Sequence, residues 1–219
     1  MTTLYICGAG NPEIIRLTRV VNPLNSRWQR ILLLDDDPAK HGQQLLGLDI
    51  VGPFGLLADA DPELCQALTC VARTMQVRWA VRERLAAFGL PFAQLIHPAV
   101  ETSDVTLGRD IVVADKATLS PLVTVGDGSM IYTGAVVGHE CRLGQCCFVA
   151  PGAVLTSRIE LGDGVMIGAN ATVLPERIIG PWATVGAGSV VSRDVDPGAT
   201  VIGNPARVVF RSAAPEDGE

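Results

Sequence analysis

The second half of the chain carries an aliphatic residue at every sixth position. The series starts at Leu107 and continues without an insertion to Val191, fifteen positions in all. A second line of small or β-branched residues runs four positions after the first, and Arg177 interrupts it. An amphipathic helix would need a period near 3.6, so this pattern indicates structural repeats rather than helices.

Glycine recurs in the same region with a longer period. Gly108, Gly126, Gly144, Gly162 and Gly180 are each eighteen residues apart, so three hexads make one turn and residues 107–196 make five. We interpret each hexad as one side of a triangular prism, with its aliphatic residue inside and stacked on the equivalent residues one turn away. Short parallel strands in successive turns would then pair at about 4.8 Å. The pattern predicts a parallel β-helix.

The first third of the chain instead predicts alternating strands and helices. Strands are expected at 4–7, 31–34 and 67–71, and helices at 14–21 and 76–88. Asn11, Pro12 and Glu13 supply a helix cap, a proline and an acidic side chain for the first turn. The turn from Gly8 to Gly10 lies between the first strand and the first helix, where backbone N–H groups can hold a phosphate. A tight turn without a ligand explains these glycines equally well.

Composition and charge narrow the functional classes. The net charge of −6 and the pI of about 5.1 argue against a nucleic-acid partner. The 48% share of hydrophobic residues and the mean hydropathy of +0.32 argue against a disordered chain. No apolar run approaches the roughly 18 residues of a membrane span, and no signal peptide is recognisable. We therefore expect a cytoplasmic protein whose six cysteines are reduced, with Cys146 facing outward beside the inward Cys147.

The chain has three histidines, and their positions in the predicted elements indicate different roles. We interpret His41 as a surface residue and His97, which precedes a proline, as structural. His139 occupies the third position of its hexad, so its side chain should project from the prism. A histidine there is ordinarily a solvated surface residue, but it is also the side chain best suited to act as a general base near neutral pH.

Several segments of the coil carry a family resemblance. Residues 95–100 (LIHPAV) resemble a lead-in to the coil, residues 137–144 (VGHECRLG) resemble a "GHxCxIG" catalytic rung, and residues 185–191 and 203–207 (GNPAR) resemble closing rungs and an exit loop. On these segments the chain resembles the PglD/NeuD-type sugar acyltransferases of the hexapeptide-repeat family. The resemblance implies an α/β, Rossmann-like domain over residues 1–94 and a left-handed parallel β-helix over 95–210. The remaining tail over 211–219 ends in an acidic segment, and we expect it to be disordered.

The resemblance also implies an activity. An enzyme of this type uses acetyl-CoA or another acyl-CoA as co-substrate, without a metal, and acylates an amino or hydroxyl group of a sugar or nucleotide-sugar. His139 would be the general base that allows direct attack on the thioester, and Glu140 would support its basicity. Family members are usually homotrimers with the active site between neighbouring coils, so we expect a homotrimer that has no nucleic-acid partner and no membrane span.

The same resemblance assigns the binding residues. The coenzyme would run along the coil, largely through main-chain contacts, and Ser157 lies eighteen residues after His139 on the same edge. The predicted cofactor-binding residues are Phe148, Ser157, Ala169, Ala187 and Arg207. The predicted nucleotide-sugar residues are Gly8, Gly10, Asp35 and Asp36.

Three departures from the family pattern keep alternatives open. Asn11 and Pro12 stand where the family often has Gly-His, Ala72 stands where it often has a glycine, and Phe148 stands where it often has a second histidine. A non-catalytic ligand-binding or scaffold protein is therefore the alternative. A metal enzyme on the same coil, such as a γ-type carbonic anhydrase, needs several histidines around the metal, whereas the repeats contain His139 alone. The acceptor sugar, the acyl group and the amide or ester product stay open.

Overall fold

The structure is a computed structural model, and it describes residues 1–211 without the side chain of Asn25. The chain forms two compact units. One unit contains Met1–His97 together with Arg109–Val112, and the other contains Pro98–Gly108 together with the chain from Val113 onward. Of the predicted tail, Arg211 ends the last strand and residues 212–219 lie outside the described residues.

The N-terminal unit is built on a five-stranded sheet. Its strands are β1 (Thr3–Cys7), β2 (Arg30–Leu34), β3 (Gln44–Leu45), β4 (Leu48–Gly52) and β5 (Cys65–Thr69), in the order β3-β4-β2-β1-β5. All neighbouring pairs are parallel except the antiparallel β3 and β4. Helix α1 (Pro12–Asn25) joins β1 to β2, helix α2 (Met75–Ala86) follows β5, and short 3-10 helices span Pro38–Lys40 and Phe54–Asp59. A further short strand, β6 (Leu95–Ile96), follows α2, and Leu95 donates its N–H to the carbonyl of Ile111 over 2.8 Å.

The start of α1 matches the predicted capping. Asn11 has an extended backbone, and its side-chain oxygen accepts the N–H of Glu13 over 3.2 Å, with Pro12 at the first helical position. The helix is longer than predicted and ends before Ser26, which adopts the left-handed conformation. The expected strand at 67–71 begins two residues earlier, and β3 and β4 were missed because their short, mixed polar pattern resembles a loop.

A buried ion cluster supports helix α2. Asp110 accepts the N–H of Thr69 over 2.7 Å, and its other oxygen lies 3.6 Å from Arg78 Nη2 and 3.7 Å from Arg82 Nε. Arg78 also donates to the carbonyls of Thr69 and Val71, over 2.8 and 3.1 Å. Burial raises the pKa of Asp110, while the positive charge of Arg78 opposes that shift. The buried side of α2 is therefore held by charges as well as by apolar contacts.

The C-terminal unit is a parallel β-helix with the predicted hexad repeat. Its fifteen two-residue strands are β7 (Thr106–Leu107), β8 (Val112–Val113), β9 (Thr118–Leu119), β10 (Thr124–Val125), β11 (Met130–Ile131), β12 (Val136–Val137), β13 (Arg142–Leu143), β14 (Phe148–Val149), β15 (Val154–Leu155), β16 (Glu160–Leu161), β17 (Met166–Ile167), β18 (Thr172–Val173), β19 (Ile178–Ile179), β20 (Thr184–Val185) and β21 (Val190–Val191). An antiparallel pair, β22 (Ala199–Gly203) and β23 (Ala206–Arg211), ends the described chain.

Strands eighteen residues apart pair in register and form three sheets. Sheet I contains β7, β10, β13, β16 and β19; sheet II contains β8, β11, β14, β17 and β20; and sheet III contains β9, β12, β15, β18 and β21. Sheet II is continued by β22, which is parallel to β20 but sixteen residues further on, and by the antiparallel β23. Val125 pairs with Leu143, for example, and both are buried. Each aliphatic residue of the first line therefore stacks on its equivalent one turn away, which confirms the predicted period.

The sheets meet at three corners. Corner A joins sheet III to sheet I at residues 121–123, 139–141, 157–159, 175–177 and 193–195. Corner B joins sheet I to sheet II at 127–129, 145–147, 163–165 and 181–183. Corner C joins sheet II to sheet III at 115–117, 133–135, 151–153, 169–171 and 187–189.

One prediction about the corners was wrong. Cys146, expected to face outward, has no exposed surface. It lies at corner B between Gly128 and Gly164, and the ring of Trp182 packs directly against Gly164. A small thiol fits within this column without reaching solvent.

Candidate active site

His139 and Glu140 lie at corner A, directly after the strand β12. They occupy the third and fourth positions of their hexad, and Glu140 has a φ of 60°. Its N–H bonds to the carbonyl of Pro121, one turn earlier, over 3.2 Å. Both side chains stand outside the prism, about half exposed, at 51% for His139 and 47% for Glu140. The local fold therefore presents an imidazole and a carboxylate side by side.

The two side chains contact each other directly. His139 Nδ1 lies 2.9 Å from Glu140 Oε1. A carboxylate is an acceptor, so it favours the ring tautomer whose proton is on Nδ1. The lone pair of a neutral ring is then on Nε2, which is the atom able to accept a proton from a substrate.

A charged side chain one turn along the same corner was missed by the sequence analysis. Arg158 donates its backbone N–H to the carbonyl of His139 over 3.0 Å, and its Nη1 lies 4.0 Å from Glu140 Oε1. Its Nε and Nη2 donate to Glu176 Oε1 over 3.0 and 2.8 Å. The eighteen-residue spacing from Glu140 to Arg158 and from Arg158 to Glu176 is the signal that would have revealed this column.

A shallow groove runs beside this corner. It measures about 430 Å³ and is lined by Leu122, Glu140, Arg142, Arg158 and Glu160. The lining is mainly polar and charged, so the groove suits a hydrophilic ligand better than an apolar one.

The other predicted coil residues lie on different parts of the prism. Ser157 is half-buried at corner A, one turn from His139. Ala169 and Ala187 are at corner C, and Phe148 is the first residue of β14 in sheet II. Sheet II is the side opposite corner A, because corner A joins the other two sheets. Within one chain, the structure brings Ser157 to the edge of His139 but not Phe148, Ala169 or Ala187.

The backbone N–H at the third hexad position is not needed for the hydrogen bonds between turns. Prolines occupy it at positions 121, 151, 175 and 181. Proline has no N–H, so the ladder of the coil does not depend on a donor at this position. The N–H groups of Ala169 and Ala187 occupy equivalent positions at corner C.

Near the C-terminal end of the coil, a small cleft contains two arginines. Arg193, at corner A, and Arg207, in β23, line it together with Asp194. Arg207 is exposed and donates to the carbonyl of Ala206 over 2.9 Å. Asp194 is held by Arg177, over 3.3 Å. The cleft therefore presents positive charge three turns beyond His139 on the same corner.

A second cleft, of about 530 Å³, lies in the N-terminal unit. Gly8, Gly10, Asp35, Lys40 and Arg73 are among its lining residues. Gly8 has a φ of 110°, and an added Cβ would lie 2.7 Å from a methyl carbon of Val71. Glycine is therefore needed at Gly8 for both conformation and space.

The carboxylate of Asp35 organises this cleft. It accepts the N–H of Ala9 over 2.8 Å, the N–H of Asp37 over 3.0 Å and a hydrogen bond from Lys40 Nζ over 2.8 Å. Partial burial favours the neutral acid, but these hydrogen bonds outweigh it and lower the pKa of Asp35. Lys40 was not among the predicted residues, and nothing in its sequence context marks it.

Two expectations about this unit need correction. His41 is half-buried, and its Nε2 lies 2.8 Å from the carbonyl oxygen of Asp35, so its ring is held by the backbone of a cleft residue rather than free at the surface. Asp36 does not line the cleft. It accepts the N–H of Phe54 over 3.0 Å and pairs with Arg84, since successive residues after a strand point in opposite directions.

Within residues 1–211, no group of three or more His, Cys, Asp or Glu side chains is arranged to hold a metal ion. Likewise, none of the helices in this range combines the length and apolarity needed to cross a bilayer.

Comparison with known proteins supports the fold. The family described as bacterial transferase hexapeptide (six repeats) matches residues 122–157 and 158–193. A search of curated proteins returned no match.

Several solved structures are similar over almost the whole chain. A histidine-to-asparagine mutant of perosamine N-acetyltransferase from Caulobacter crescentus, in complex with CoA and GDP-perosamine, is 27% identical with a TM-score of 0.87, and the alignment covers 96% of this chain and 98% of that one. The acetyltransferase domain of PglB from Neisseria gonorrhoeae, in complex with acetyl coenzyme A, is 28% identical with a TM-score of 0.86, covering 94% and 98%. WeeI from Acinetobacter baumannii, 23% identical with a TM-score of 0.83 over 95% and 100%, shares the fold.

These similarities agree with the strand pairing described above. The chain has the predicted Rossmann-like α/β region followed by a left-handed parallel β-helix of hexapeptide repeats.

Proposed function

We propose that the chain is an acyltransferase of the PglD/NeuD type, which transfers an acetyl group from acetyl-CoA to an amino or hydroxyl group of a nucleotide-linked sugar. The observation that carries this proposal is the His139–Glu140 pair at corner A, where Nδ1 and Oε1 are 2.9 Å apart. The similar structures that contain CoA, acetyl-CoA or GDP-perosamine support the choice of both substrates.

His139 acts as the general base in this proposal. Its Nε2 takes a proton from the acceptor as the acceptor nitrogen or oxygen forms a bond to the thioester carbonyl carbon. The carbon–sulfur bond then breaks, and His139 returns the proton to the sulfur of the departing CoA thiolate. The acyl group is now on the acceptor, and the imidazole is neutral again.

Glu140 and a main-chain donor support these steps. Glu140 holds the ring by Nδ1 and stabilises the imidazolium that forms when Nε2 gains a proton. The developing oxyanion needs a preorganised hydrogen-bond donor, for which we propose a backbone N–H of the coil one turn away. No metal is required for this chemistry.

We assign the coenzyme to the surface of the coil. Ser157 continues the edge of His139, and the third-position N–H groups of Ala169 and Ala187 would contact the pantetheine. Phe148 would shape the pocket around the acyl end, where its ring packs against Tyr132 with a centroid distance of 5.0 Å. Arg207 would contact phosphate groups.

A homotrimer would unite these residues in one site. In a cyclic assembly each chain uses one part of its surface to contact a different part of the next chain. Corner A of one copy would then face sheet II and corner C of its neighbour. His139 would thereby meet the Phe148, Ala169 and Ala187 of an adjacent copy, which the coil of a single chain keeps apart.

We assign the nucleotide portion of the acceptor to the N-terminal cleft. The glycine turn from Gly8 to Gly10 and the start of α1 offer backbone N–H groups for phosphate oxygens. Lys40 and Arg73 add positive charge, and Asp35 fixes both the turn and Lys40. Asp36, whose carboxylate is engaged with Arg84, has no direct part in this arrangement.

Replacement of His139 tests the proposal. His139→Ala should reduce the rate of acetyl transfer by about a hundredfold to ten-thousandfold. The rate is measured by mass spectrometry with a panel of nucleotide amino sugars as acceptors. Thr124→Ala, which alters an exposed side chain of sheet I, is the control and should keep full activity. Thermal unfolding of both variants should match that of the unaltered protein.

The outcomes separate the competing functions. An unchanged rate in His139→Ala would overturn the assignment of the base. Acetyl-CoA and the acceptor should raise the unfolding temperature, because a ligand that binds the native state alone stabilises it. If no acyl-CoA raises it and no transfer occurs, the chain is a non-catalytic member of its fold.

A further inference from the structure

We propose that Arg158 is a positioning residue that weakens the action of Glu140 on His139, and that Glu176 limits this effect by holding Arg158 away. The inference rests on the proposed role of His139 as the base. It concerns the column of side chains that follows His139 along corner A.

Geometry connects the four residues. Glu140 Oε1 is 2.9 Å from His139 Nδ1 and 4.0 Å from Arg158 Nη1. The same carboxylate oxygen is thus shared between the imidazole and a cation. The backbone N–H of Arg158 also bonds to the carbonyl of His139 over 3.0 Å, so the coil itself fixes the spacing of the two residues.

Glu176 competes with Glu140 for the guanidinium. Arg158 Nη2 and Nε donate to Glu176 Oε1 over 2.8 and 3.0 Å, distances much shorter than the 4.0 Å to Glu140. The three charged side chains are similarly exposed, at 47%, 47% and 60% for Arg158, Glu140 and Glu176. With solvent screening nearly equal, the shorter distances decide that Arg158 is mainly the partner of Glu176.

Within one chain, the remaining surroundings add little net charge, and Arg177 and Asp194, further along the corner, form a pair of opposite charges 3.3 Å apart. On the earlier turn, Pro121 and Leu122 are uncharged, and Ser157 is the uncharged neighbour on the later turn. Arg142 and Glu160 line the same groove and form a pair of opposite charges 4.0 Å apart. Within one chain, Arg158 is therefore the cation that is shared between the carboxylates of Glu140 and Glu176.

The expected effects have opposite signs. If Arg158 is replaced by methionine, Glu140 keeps its full negative field and the His139 ring should hold its proton to higher pH. If Glu176 is replaced by glutamine, Arg158 can approach Glu140, and the ring should release its proton at lower pH. A side chain with a merely structural role would not produce this pair of shifts.

Histidine titration by NMR is the test, since the chain has three histidines and their ring signals can be assigned. We expect the pH midpoint of His139 to rise by about 0.2 to 0.6 units in Arg158→Met and to fall by a similar amount in Glu176→Gln, the size that an exposed charge pair produces. Arg211→Met, which removes an exposed cation paired with Asp196 near the end of the described chain, is the control of equal charge. The pH midpoint of His139 should stay unchanged in this control variant.

Repeating the Arg158→Met substitution in a protein that lacks the Glu140 carboxylate shows whether Arg158 acts on His139 through Glu140. In Glu140→Gln, the Arg158→Met substitution should move the midpoint by less than half as much, because the shared carboxylate is gone. Shifts of the same sign in Arg158→Met and Glu176→Gln, or equal shifts with and without Glu140, would overturn the proposal.

The titration does not depend on catalysis, so it fails or succeeds independently of the proposed function. With active protein, the acid limb of the kcat/KM profile should follow the same shifts, and Arg158→Lys should restore most of the original profile.

Discussion

Every hexad from residue 110 to residue 188 has a positive φ at its fourth position. The residues are Asp110, Lys116, Leu122, Gly128, Gly134, Glu140, Cys146, Gly152, Arg158, Gly164, Asn170, Glu176, Trp182 and Gly188. Glycine adopts this conformation without strain, whereas other residues pay about 1 kcal/mol. Five of these residues are glycines, but the remaining corners carry no common side chain, so the strain at Leu122 or Trp182 was not predictable from the sequence.

Glycines at the second hexad position have a different origin, and Gly138 shows it. A Cβ there would lie 1.3 Å from the carbonyl oxygen of Thr156, on the next turn. Gly138→Ala should therefore destabilise the protein by about 2 to 4 kcal/mol, because backbone must move. Gly134→Ala is the control: its φ is 70° and its Cβ meets nothing within 4 Å, so it should cost about 1 kcal/mol. Equal losses in urea unfolding would contradict this explanation.

The thiols offer another prediction for single residues. All six cysteines are free and buried, and burial raises the pKa of Cys70 and of Cys147 to about 12. All six thiols are therefore inaccessible in the native state, and for Cys70 and Cys147 the reactive thiolate is also scarce. Iodoacetamide at pH 8 should label almost none of the six in the folded protein and all six in urea, as counted by mass spectrometry. Rapid labelling of Cys146 in the native protein would show that its corner is open.

The elements of the two units differ in how well the sequence predicts them. Every hexad of the coil has an inward aliphatic residue at the same position. The strands of the coil can therefore be predicted directly from the six-residue period. Helix α2 was found but its buried side was not understandable from the sequence. Arg78 and Arg82 point into the core toward Asp110, a partner far along the chain, and no periodicity marks such a pairing.

Asp110 should be essential to the N-terminal unit. Asp110→Asn keeps the acceptor for the N–H of Thr69 but leaves the fully buried Arg78 without its counter-charge, which should cost about 3 to 5 kcal/mol. Asp36→Asn is the matched control in the same unit. It also keeps an acceptor, for the N–H of Phe54, and breaks an exposed pair with Arg84 worth less than about 1 kcal/mol. Thermal unfolding compares the two, and a loss in Asp110→Asn no greater than in Asp36→Asn would refute the argument.

Over the whole molecule, the residues assigned to one active site occupy different sides of the prism. The sequence revealed that Ser157 follows His139 by one turn, because spacing within a repeat is linear information. The nine residues from His139 to Phe148 are half of one eighteen-residue turn, so spacing also places Phe148 on the side opposite corner A, and its assignment to the same site came from the family resemblance. The column of Glu140, Arg158 and Glu176 follows the eighteen-residue spacing as well, but the distances by which Arg158 is shared between two carboxylates are visible only in the structure.

Mixed assemblies can show whether the site is shared between copies. His139→Ala and Phe148→Arg should each be inactive alone. If the site joins corner A of one copy to sheet II of the next, random mixing should restore about a quarter of the sites, since half of the chains supply each intact part. A co-expressed mixture that stays inactive, while native mass spectrometry shows trimers containing both variants, would indicate a site within one chain.

The three-hexad turn also restricts how the chain can change length. Loss of six residues would preserve the inward aliphatic line but rotate everything downstream by one side of the prism, so that corner A would continue as another corner. Loss of eighteen would shorten the coil by one turn, about 4.8 Å, and leave each later residue on its original side. The core of this coil therefore tolerates insertions or deletions in multiples of six residues. A site assembled from several turns tolerates them only in multiples of eighteen.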